Sequence, residues 1–425
     1  MSGFERVREL VEAVSQTGRG ERGVSRLALT EADRQAREIV TEEMKSLGMS
    51  VTTDACCNLW GRFEGGTDSP GVVIGSHLDS VPEGGRYDGV LGVACGLGAA
   101  RDILAEDPRP RRSLSVVVFT AEESSRFSLA TVGSKAVTGN LSLLDTLRFK
   151  DKRGVTLLDA LRAFGGRPER IPRDCLAPAS YHSYFELHIE QGPVLDWNGE
   201  DVGIVEAIAA PTRFRLEVIG EQAHSGACPM NMRRDAMAAA AEIILAVERA
   251  GRTESEFGTV ATVGVCECEP GAMNVVPGRV VLKVDVRGIV EKSIRRACDE
   301  IKARVGSVCA ERGVRANFTL YSADKPVAMD GLLARRIENV CRARRIKYRR
   351  MPSGAGHDAM YMAALIPSAL IFVPCKDGIS HNPAEEVDWR RGLLDRSEVR
   401  RAGKECRSRW SPYHLEIPRI FFIRR

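Results

Sequence analysis

Acidic and histidine side chains follow four apolar runs of this sequence, and each run is typical of a buried strand. His77 follows Gly71–Gly75, Glu122 and Glu123 follow Ser113–Thr120, His188 follows Tyr184–Leu187, and His381 comes soon after Ala369–Pro374. Asp88 lies in the glycine-rich loop beyond His77. Because borderline divalent ions such as Zn²⁺ bind imidazole and carboxylate, these residues together predict a centre that holds two metal ions.

Two such ions favour the hydrolysis of a carbonyl compound. In two-metal sites the ions lie about 3.5–4 Å apart, activate a water molecule and polarise the carbonyl group under attack. A nearby acid must then move the proton of the water. One aspartate would bridge the ions, and one of Glu122 and Glu123 would be a ligand while the other is the base; the residues alone leave this choice open. Taken singly, a histidine at a strand end is more often structural, and the Glu122-Glu123 pair can be a solvated turn.

The elements that must position these residues alternate between helix and strand. Glu5–Val14, Glu31–Leu47 and Val90–Ala105 carry apolar residues at three- and four-residue steps, which predicts helices. Thr30 is a candidate N-cap and Gly48 a candidate stop for the second of them. Strands that alternate with helices indicate an α/β fold, in which the carboxyl ends of the strands face the crevice where ligands bind.

The pattern changes after residue 210. Residues 213–218 and 280–287 alternate between apolar and charged side chains, which predicts strands with one buried face. Arg233–Ala250, with Gly251 as its stop, and an apolar stripe from Ile294 to Cys309 predict two helices. This part of the chain therefore predicts a compact α+β domain of two helices on one sheet.

The length of 425 residues predicts two domains or one large domain with an insertion. We assign residues 1–210 and 327–425 to a discontinuous catalytic domain and residues 211–326 to the inserted domain. With 44% hydrophobic and 28% charged residues the chain can bury a large core, and its apolar runs are far shorter than the roughly 18 residues that span a bilayer. The charged N-terminus and twelve scattered cysteines predict a cytoplasmic protein with reduced thiols.

The net charge of +4 is concentrated at one end of the chain. Residues 390–425 contain 11 Lys/Arg and 4 Asp/Glu, so the preceding residues are slightly acidic as a whole. A nucleic-acid surface across the body of the protein is therefore excluded, and neither a nucleic acid nor a membrane is expected as a partner.

Three stretches of the sequence resemble a known group of hydrolases: Gly75–Val93, Glu122–Phe127 and His188–Pro193. In them the chain resembles the M20-type metallopeptidase-like amidohydrolases, and among these the hydantoinase/carbamoylase branch. That branch includes N-carbamoyl-L-amino acid hydrolases, allantoate amidohydrolases, ureidoglycolate amidohydrolases and β-ureidopropionases. The resemblance covers roughly residues 1–389. It implies a phosphorylase/hydrolase-like mixed-sheet catalytic domain of the α/β class with an inserted α+β lid and dimerisation domain.

The resemblance also implies a role for each residue of the candidate metal centre. It implies His77 and His188 on separate ions, Asp88 as the bridge, Glu123 and His381 on the second ion, and Glu122 as the general base. Asp79 would orient the His77 imidazole without touching the metal. Zinc is the first expectation for the two ions, and manganese, cobalt or nickel suits the same ligands.

In the inserted domain, the sequence around His224, Asn274 and Arg287 resembles the lid domain of the family. The resemblance implies that these residues reach the substrate, in some members from the neighbouring subunit. Arg287 lies on the polar face of a strand and can grip a carboxylate through two hydrogen bonds, while His224 can donate to a developing oxyanion. The alternative is a solvated strand arginine and a loop histidine.

A glycine-rich stretch, Ser353–Ala359, precedes a predicted helix. The backbone N–H groups at its start can hold an anionic or carbonyl group, with Gly356 and His357 as candidate substrate-binding residues. The alternative is a turn in which Asp358 caps the helix Ala359–Ala364.

The sequence thus predicts a binuclear metal-dependent amidohydrolase that removes a carbamoyl or ureido group from a small carboxylate substrate, above all an N-carbamoyl-L-amino acid. A homodimer formed through the lid domain is expected. Allantoate or ureidoglycolate amidohydrolase is the alternative, followed by an aminoacylase or dipeptidase, and a catalytically silent metabolite-binding protein is the alternative from another class. The basic tail 390–425 departs from the family pattern; a frameshifted end, an extension and a basic patch for an acidic partner remain open for it.

Overall fold

The structure is a computed structural model that describes residues 3–66 and 70–389. The chain divides into two compact units. The larger unit comprises the described residues up to Glu206, Ala328–Met351 and those from His357 onward, and the smaller comprises Ala207–Val327 and Pro352–Gly356. Residues 352–356 group with the smaller unit, whereas the sequence assigned them to the larger. The basic tail 390–425 lies outside the described residues.

The strands follow the apolar runs of the sequence closely. In chain order they are β1 (Ser50–Thr53), β2 (Leu59–Phe63), β3 (Gly71–His77), β4 (Leu114–Phe119), β5 (Tyr181–Ile189), β6 (Val202–Ile208), β7 (Ala210–Ile219), β8 (Ala223–His224), β9 (Val260–Glu269), β10 (Val275–Val276), β11 (Arg279–Gly288), β12 (Arg315–Ala323), β13 (Val327–Ala328), β14 (Tyr348–Ser353) and β15 (Ser368–Val373).

The helices lie between these strands. They are α1 (Gly3–Gln16), α2 (Glu31–Ser46), α3 (Val90–Glu106), α4 (Val132–Val137), α5 (Leu143–Arg148), α6 (Leu157–Phe164), α7 (Val194–Asn198), α8 (Ala236–Thr253), α9 (Glu291–Arg312), α10 (Gly331–Ala343) and α11 (Ala359–Met362).

The large sheet has the order β1-β2-β4-β3-β5-β15-β6-β13, and β14 pairs with β6. Its four central strands, β4, β3, β5 and β15, are parallel to their neighbours, whereas β2 and β6 join them antiparallel. Every residue of β3 and β4 is buried, which explains why both read as continuous apolar runs. Because the central strands are parallel, their carboxyl ends meet at one edge of the sheet, and the predicted site residues follow those ends.

The smaller unit contains a four-stranded antiparallel sheet in the order β12-β7-β11-β9. Helices α8 and α9 pack on it, and alternate residues of β7 and β11, such as Leu216, Val284 and Val286, are buried in the core that they share with these helices. The short strands β8 and β10 pair separately. The predicted fold class, a mixed α/β domain with an inserted α+β domain, is confirmed.

One helix differs from its prediction. Helix α8 spans Ala236–Thr253, and Asp235 caps its start by accepting hydrogen bonds from the N–H groups of Met237 and Ala238. Gly251 is therefore inside the helix and does not end it. A Cβ atom at Gly251 would lie 2.8 Å from the backbone nitrogen of Ala261 on β9, so this glycine permits close helix–sheet packing. Over residues 3–66 and 70–389, we find no helix whose length and apolar character would let it cross a membrane.

Candidate active site

His77, at the end of β3, and His188, near the end of β5, have the same ring tautomer. Nδ1 of His77 lies 2.9 Å from the carbonyl oxygen of Asp79, and Nδ1 of His188 lies 2.9 Å from the carbonyl oxygen of Ile189. A carbonyl oxygen only accepts hydrogen bonds, so each Nδ1 carries the hydrogen. In the neutral form of each ring, the lone pair of Nε2 is then available to a metal ion.

Asp88 contacts three histidines at this edge of the sheet. Its Oδ1 lies 3.0 Å from Nε2 of His188 and 3.6 Å from Nε2 of His77, and its Oδ2 lies 3.1 Å from Nε2 of His381. Glu123 Oε1 lies 3.1 Å from the same His381 nitrogen. These side chains form two groups whose ligand atoms lie within 4.8 Å of one another, His77-Asp88-His188 and Asp88-Glu123-His381. Asp88 belongs to both groups.

The pairing of His77 with His188 differs from the prediction that they hold separate ions. Their rings are stacked with centroids 5.8 Å apart, and the Nε2 atoms of both approach the same oxygen of Asp88. Strands β3 and β5 are neighbours in the sheet, so their carboxyl ends place these two rings side by side. This geometry favours one shared ion for the two rings over separate ions.

The surroundings of His77 fit a bound cation. Among the described residues, its buried Nε2 has no hydrogen-bond partner; Asp88 at 3.6 Å and Glu122 at 3.7 Å are too distant for one. Although burial opposes a charged ring, Glu122 and Asp88 raise the pKa of His77 well above its ordinary value. The negative charge that favours a proton at Nε2 favours a metal ion there as well. Together with the imidazole and carboxylate donors, this fits a divalent ion.

Glu122 and Glu123 have different positions in the site. Glu123 belongs to the group around His381, whereas Glu122 belongs to neither group and lies 3.7 Å from Nε2 of His77. Burial raises the pKa of Glu122 well above its ordinary value; His77 opposes this shift and Glu123 adds to it. A buried carboxylate beside the ligands but outside both groups is placed to exchange a proton. The geometry thus favours Glu122 as the base, a choice that the residue pattern left open.

Asp79 supports the site in two ways. Its backbone carbonyl accepts the Nδ1 hydrogen of His77, whereas its carboxylate lies 3.7 Å from that nitrogen. The carboxylate instead accepts hydrogen bonds from the backbone N–H groups of Glu122 at 3.2 Å and Glu123 at 3.0 Å. Asp79 therefore connects the ends of β3 and β4. The fully buried guanidinium of Arg26 holds the same segment by donating to the carbonyl of Leu78 at 2.6 Å.

Two residues that hold Asp88 were not among the predicted site residues. Glu385 accepts hydrogen bonds from the backbone N–H groups of Tyr87 at 2.8 Å and Asp88 at 3.1 Å, and from the Ser380 hydroxyl at 3.1 Å. The Gln191 amide donates to Oδ2 of Asp88 at 2.9 Å. Gln191 stands inside the motif that begins at His188. Glu385 follows His381 by four residues, and only its long-range contacts reveal its place.

The segment around His357 differs from the alternative in which Asp358 caps a helix Ala359–Ala364. Helix α11 spans only Ala359–Met362, and the N–H of Ala359 already donates to Oε2 of Glu186 at 2.8 Å. Asp358 does not cap the helix through its side chain; it accepts a hydrogen bond from Ser134 instead. The N–H of Ala359 is therefore not available to a ligand, and the turn is not capped by Asp358.

His357 itself is buried beside the metal-site histidines. The centroid of its ring lies 4.4 Å from that of His188, and burial lowers the pKa of His357 well below its ordinary value. Gly356 is exposed and groups with the smaller unit. The substrate-binding roles of both residues stay predictions.

In the smaller unit, His224 and Asn274 lie close together. Strand β8 pairs His224 with Val275 of β10, and the N–H of Ser225 donates to the carbonyl of Asn274 at 3.0 Å. Nδ1 of His224 accepts hydrogen bonds from the backbone N–H groups of Gly226 and Ala227, both at 3.1 Å. The neutral ring therefore carries its hydrogen on Nε2, as a donor to an oxyanion requires.

Arg287 is already bound by a carboxylate. Its Nε and Nη2 donate to the two oxygens of Asp285 at 2.8 and 2.9 Å, and its Nη1 donates to the carbonyl of Gly354 at 3.3 Å. Asp285 thus occupies one side of the guanidinium fork. The outer edge, between Nη1 and Nη2, still offers hydrogens to a second carboxylate.

Comparison with known proteins agrees with the geometry of the larger unit. Residues 73–399 match the peptidase family M20/M25/M40. The chain belongs to this family. The predicted membership of the M20 family is confirmed, and so is the hydrolase class that this membership implies.

Characterised relatives of this M20 chain include amidohydrolases. It is 37% identical over 390 residues to an N-carbamoyl-L-amino-acid amidohydrolase of Pseudomonas sp. (strain NS671), covering 90% of this chain and 94% of the relative. It is 33% identical to the allantoate amidohydrolase of Escherichia coli (strain K12), covering 86% of this chain and 89% of that one. The crystal structure of a hydantoinase/carbamoylase family amidase from Burkholderia ambifaria matches with a TM-score of 0.82 and 35% identity, over 91% of this chain and 93% of that one. These matches confirm the predicted branch of the family.

Proposed function

We propose that this M20 hydrolase is a binuclear metal-dependent amidohydrolase that cleaves the carbamoyl or ureido C–N bond of a small carboxylate substrate. The substrate that we propose first is an N-carbamoyl-L-amino acid. One observation carries the proposal. Two groups of metal-binding side chains share Asp88, and the buried carboxylate of Glu122 lies beside them without belonging to either. This is the arrangement that two-metal hydrolysis with a separate base requires.

Each group would hold one ion. His77, Asp88 and His188 would bind the first, and Asp88, Glu123 and His381 would bind the second. Zinc suits these donors best, and manganese, cobalt or nickel is an alternative. When bound, the ions supply Lewis acidity that polarises the carbonyl under attack and lowers the pKa of water.

The side chains of the protein perform the proton transfers. Glu122 accepts a proton from the attacking water and delivers it to the nitrogen that leaves, so the product amine departs neutral. The backbone N–H groups bound to Asp79 fix the turn that carries Glu122. The hydrogen bonds from His77 and His188 to backbone carbonyls keep both rings in the tautomer that binds metal.

Residues of the smaller unit would bind the substrate. His224 donates from Nε2 to the developing oxyanion, and Arg287 binds the substrate carboxylate through the outer edge of its fork. Asn274, Gly356 and His357 remain candidate contacts on the strength of the sequence resemblance. We also propose a homodimer formed through the smaller unit, in which these residues act on the substrate of the same subunit or of its partner.

A substrate panel tests the proposal. The purified protein is stripped of metal, reconstituted separately with Zn²⁺, Mn²⁺, Co²⁺ or Ni²⁺, and assayed on N-carbamoyl-L-amino acids, allantoate, ureidoglycolate, N-acetyl amino acids and dipeptides. A higher kcat/KM for the N-carbamoyl compounds than for the other compounds supports the assignment. Allantoate is the second candidate because of the Escherichia coli relative, and a preference for it or for ureidoglycolate would replace the assignment. Turnover of no compound with any metal would favour a catalytically silent binding protein.

A further inference from the structure

A cavity of about 480 Å³ lies on the sheet of the smaller unit and is lined by Arg213, Lys283, Asp285 and Arg287 among other residues. Val284 and Val286 of β11 are buried in the core with α8 and α9. Because side chains alternate along a strand, Lys283, Asp285 and Arg287 lie on the opposite face of the sheet. The cavity is therefore on the face that α8 and α9 do not cover.

The charges of this cavity do not balance. Arg213, Lys283 and Arg287 are cations, and Asp285 is the one carboxylate among the lining residues. Asp285 accepts from Nε of Arg213 at 2.8 Å as well as from Arg287. Within the described ranges, the Lys283 ammonium has no ion-pair partner, and the hydrogen bond from Arg213 to Asp285 comes from Nε. The lining thus keeps a surplus of two positive charges.

Strand register places these cations at a regular spacing. Asp285 is opposite Arg213 on β7, and Arg287 and Lys283 lie two residues from Asp285 along β11, one on each side. Diagonal neighbours in an antiparallel pair are about 7–8 Å apart, within reach of long side chains. Arg213 can therefore meet a second group of a small molecule whose first carboxylate is held by Arg287.

Asp285 orients both arginines. Its carboxylate accepts hydrogen bonds from Nε and Nη2 of Arg287 and from Nε of Arg213. Each guanidinium keeps further N–H groups that Asp285 does not bind. A cross-strand pair that served only stability would need one arginine for one aspartate. The second arginine and the unpaired lysine are better explained by an anion that is bound in addition to Asp285.

We propose that this cavity binds a second carboxylate of the substrate through Arg213 and Lys283, so that the preferred substrates are N-carbamoyl-L-amino acids with an acidic side chain. This inference rests on the proposed function. It goes beyond it by assigning Arg213 and Lys283 as residues that determine specificity.

The test compares N-carbamoyl-L-glutamate with N-carbamoyl-L-glutamine, which has nearly the same shape without the second charge. The wild type is expected to prefer the acid by about tenfold or more in kcat/KM, the effect of one or two charge-assisted hydrogen bonds. Arg213→Gln and Lys283→Gln should each lower this ratio severalfold, and Arg213→Lys should keep part of it. The ratio of the two kcat/KM values is unaffected if a substitution also moves the Arg287 side chain, because both compounds share the carboxylate that Arg287 would bind.

Arg249→Gln is the matched control. Arg249 is exposed on α8 in the same unit, so its substitution removes the same charge away from the cavity. The control should keep the wild-type ratio. A wild type that hydrolyses both compounds equally, or prefers the amide, would overturn the inference and leave the proposed function standing.

If neither compound is hydrolysed, the substrate panel decides the proposed function, and binding tests the inference separately. The dissociation constants of both compounds are then measured by calorimetry on the full-length, metal-loaded protein. Tighter binding of the acid that is lost in Arg213→Gln and Lys283→Gln, but kept in Arg249→Gln, supports the subsite. Equal dissociation constants for the two compounds, or a preference that survives both substitutions, overturn it.

Discussion

Replacement of Glu385 by glutamine should weaken metal binding although Glu385 touches no ion. One oxygen of Glu385 accepts the backbone N–H groups of Tyr87 and Asp88, which fixes the loop that carries the shared aspartate. The other accepts the hydroxyl of Ser380, the residue before His381. The amide of Glu385→Gln keeps an acceptor for the two N–H groups and a donor for Ser380, so the fold should be retained.

The size of the effect follows from the lost charge. Hydrogen bonds to charged groups are worth about 1.5–3 kcal/mol and neutral ones about 0.5–1.5 kcal/mol, so two bonds to a neutral acceptor lose about 2 kcal/mol. If this energy holds Asp88 in place for the ions, metal affinity falls by about 30-fold. That agrees with the roughly 10–100-fold cost of changing residues that support metal ligands. By contrast, Glu385→Ala leaves two buried N–H groups unpaired and should destabilise the fold by about 2–6 kcal/mol.

The assay is competition between the metal-free protein and a chromophoric chelator for Zn²⁺ and Co²⁺. Urea unfolding of the metal-free proteins separates metal affinity from stability. Glu386→Gln is the matched control, because Glu386 is an exposed neighbour whose carboxylate pairs with Lys376 at 2.8 Å on the surface. If Glu385→Gln binds both metals as tightly as the wild type and Glu386→Gln do, Glu385 does not support Asp88 in the way argued.

Substitutions at three further residues test the site. Glu122→Gln should lower turnover by about 10²–10⁴-fold with both ions retained, since Glu122 moves protons without binding metal; nearly normal turnover, or loss of the ions in elemental analysis, would contradict this. Asp88→Ala should reduce metal content as well as activity, and full occupancy would refute its place in both groups. Arg287→Ala should lower kcat/KM more than tenfold and Arg287→Lys should recover part, because lysine lacks the planar fork; unchanged kinetics would reject the carboxylate role. If the smaller unit acts across a dimer, mixed Arg287→Ala and Glu122→Gln subunits should regain activity, whereas no gain after confirmed subunit exchange would exclude that arrangement.

The residues that the sequence predicted for the metal centre lie together in the structure because their signals are local. The apolar runs before His77, Glu122 and His188 are β3, β4 and β5, which are buried parallel strands, so the residues after them meet at one edge of the sheet. The same local pattern cannot show which ring nitrogen is free or which of two adjacent glutamates is a ligand. Those choices depend on contacts such as the hydrogen bonds that the backbone N–H groups of Glu122 and Glu123 donate to the Asp79 carboxylate.

The errors have a common physical cause. Gly251 was taken for a helix stop from its type, yet it lies inside α8, where the sheet approaches too closely for a larger residue. Asp358 was a candidate cap, yet Ser134, more than two hundred residues away in sequence, binds its carboxylate. The geometry favours one ion for His77 and His188 rather than two, because the pairing of β3 with β5 places their rings side by side. In each case a long-range tertiary contact overrode a local rule.

Because Asp88 gives one oxygen to each group of ligands, the two halves of the site cannot vary independently. Loss of His381 would remove one partner of Asp88 Oδ2, leaving the Gln191 amide on it, and so alter the charge available to an ion beside His77 and His188. Two affinities measured in a metal titration would then be macroscopic constants of the pair, as with coupled titrating groups, and neither would belong to a single set of ligands. A substitution that changes the metal preference of one half is therefore expected to change the metal affinity of the other half too.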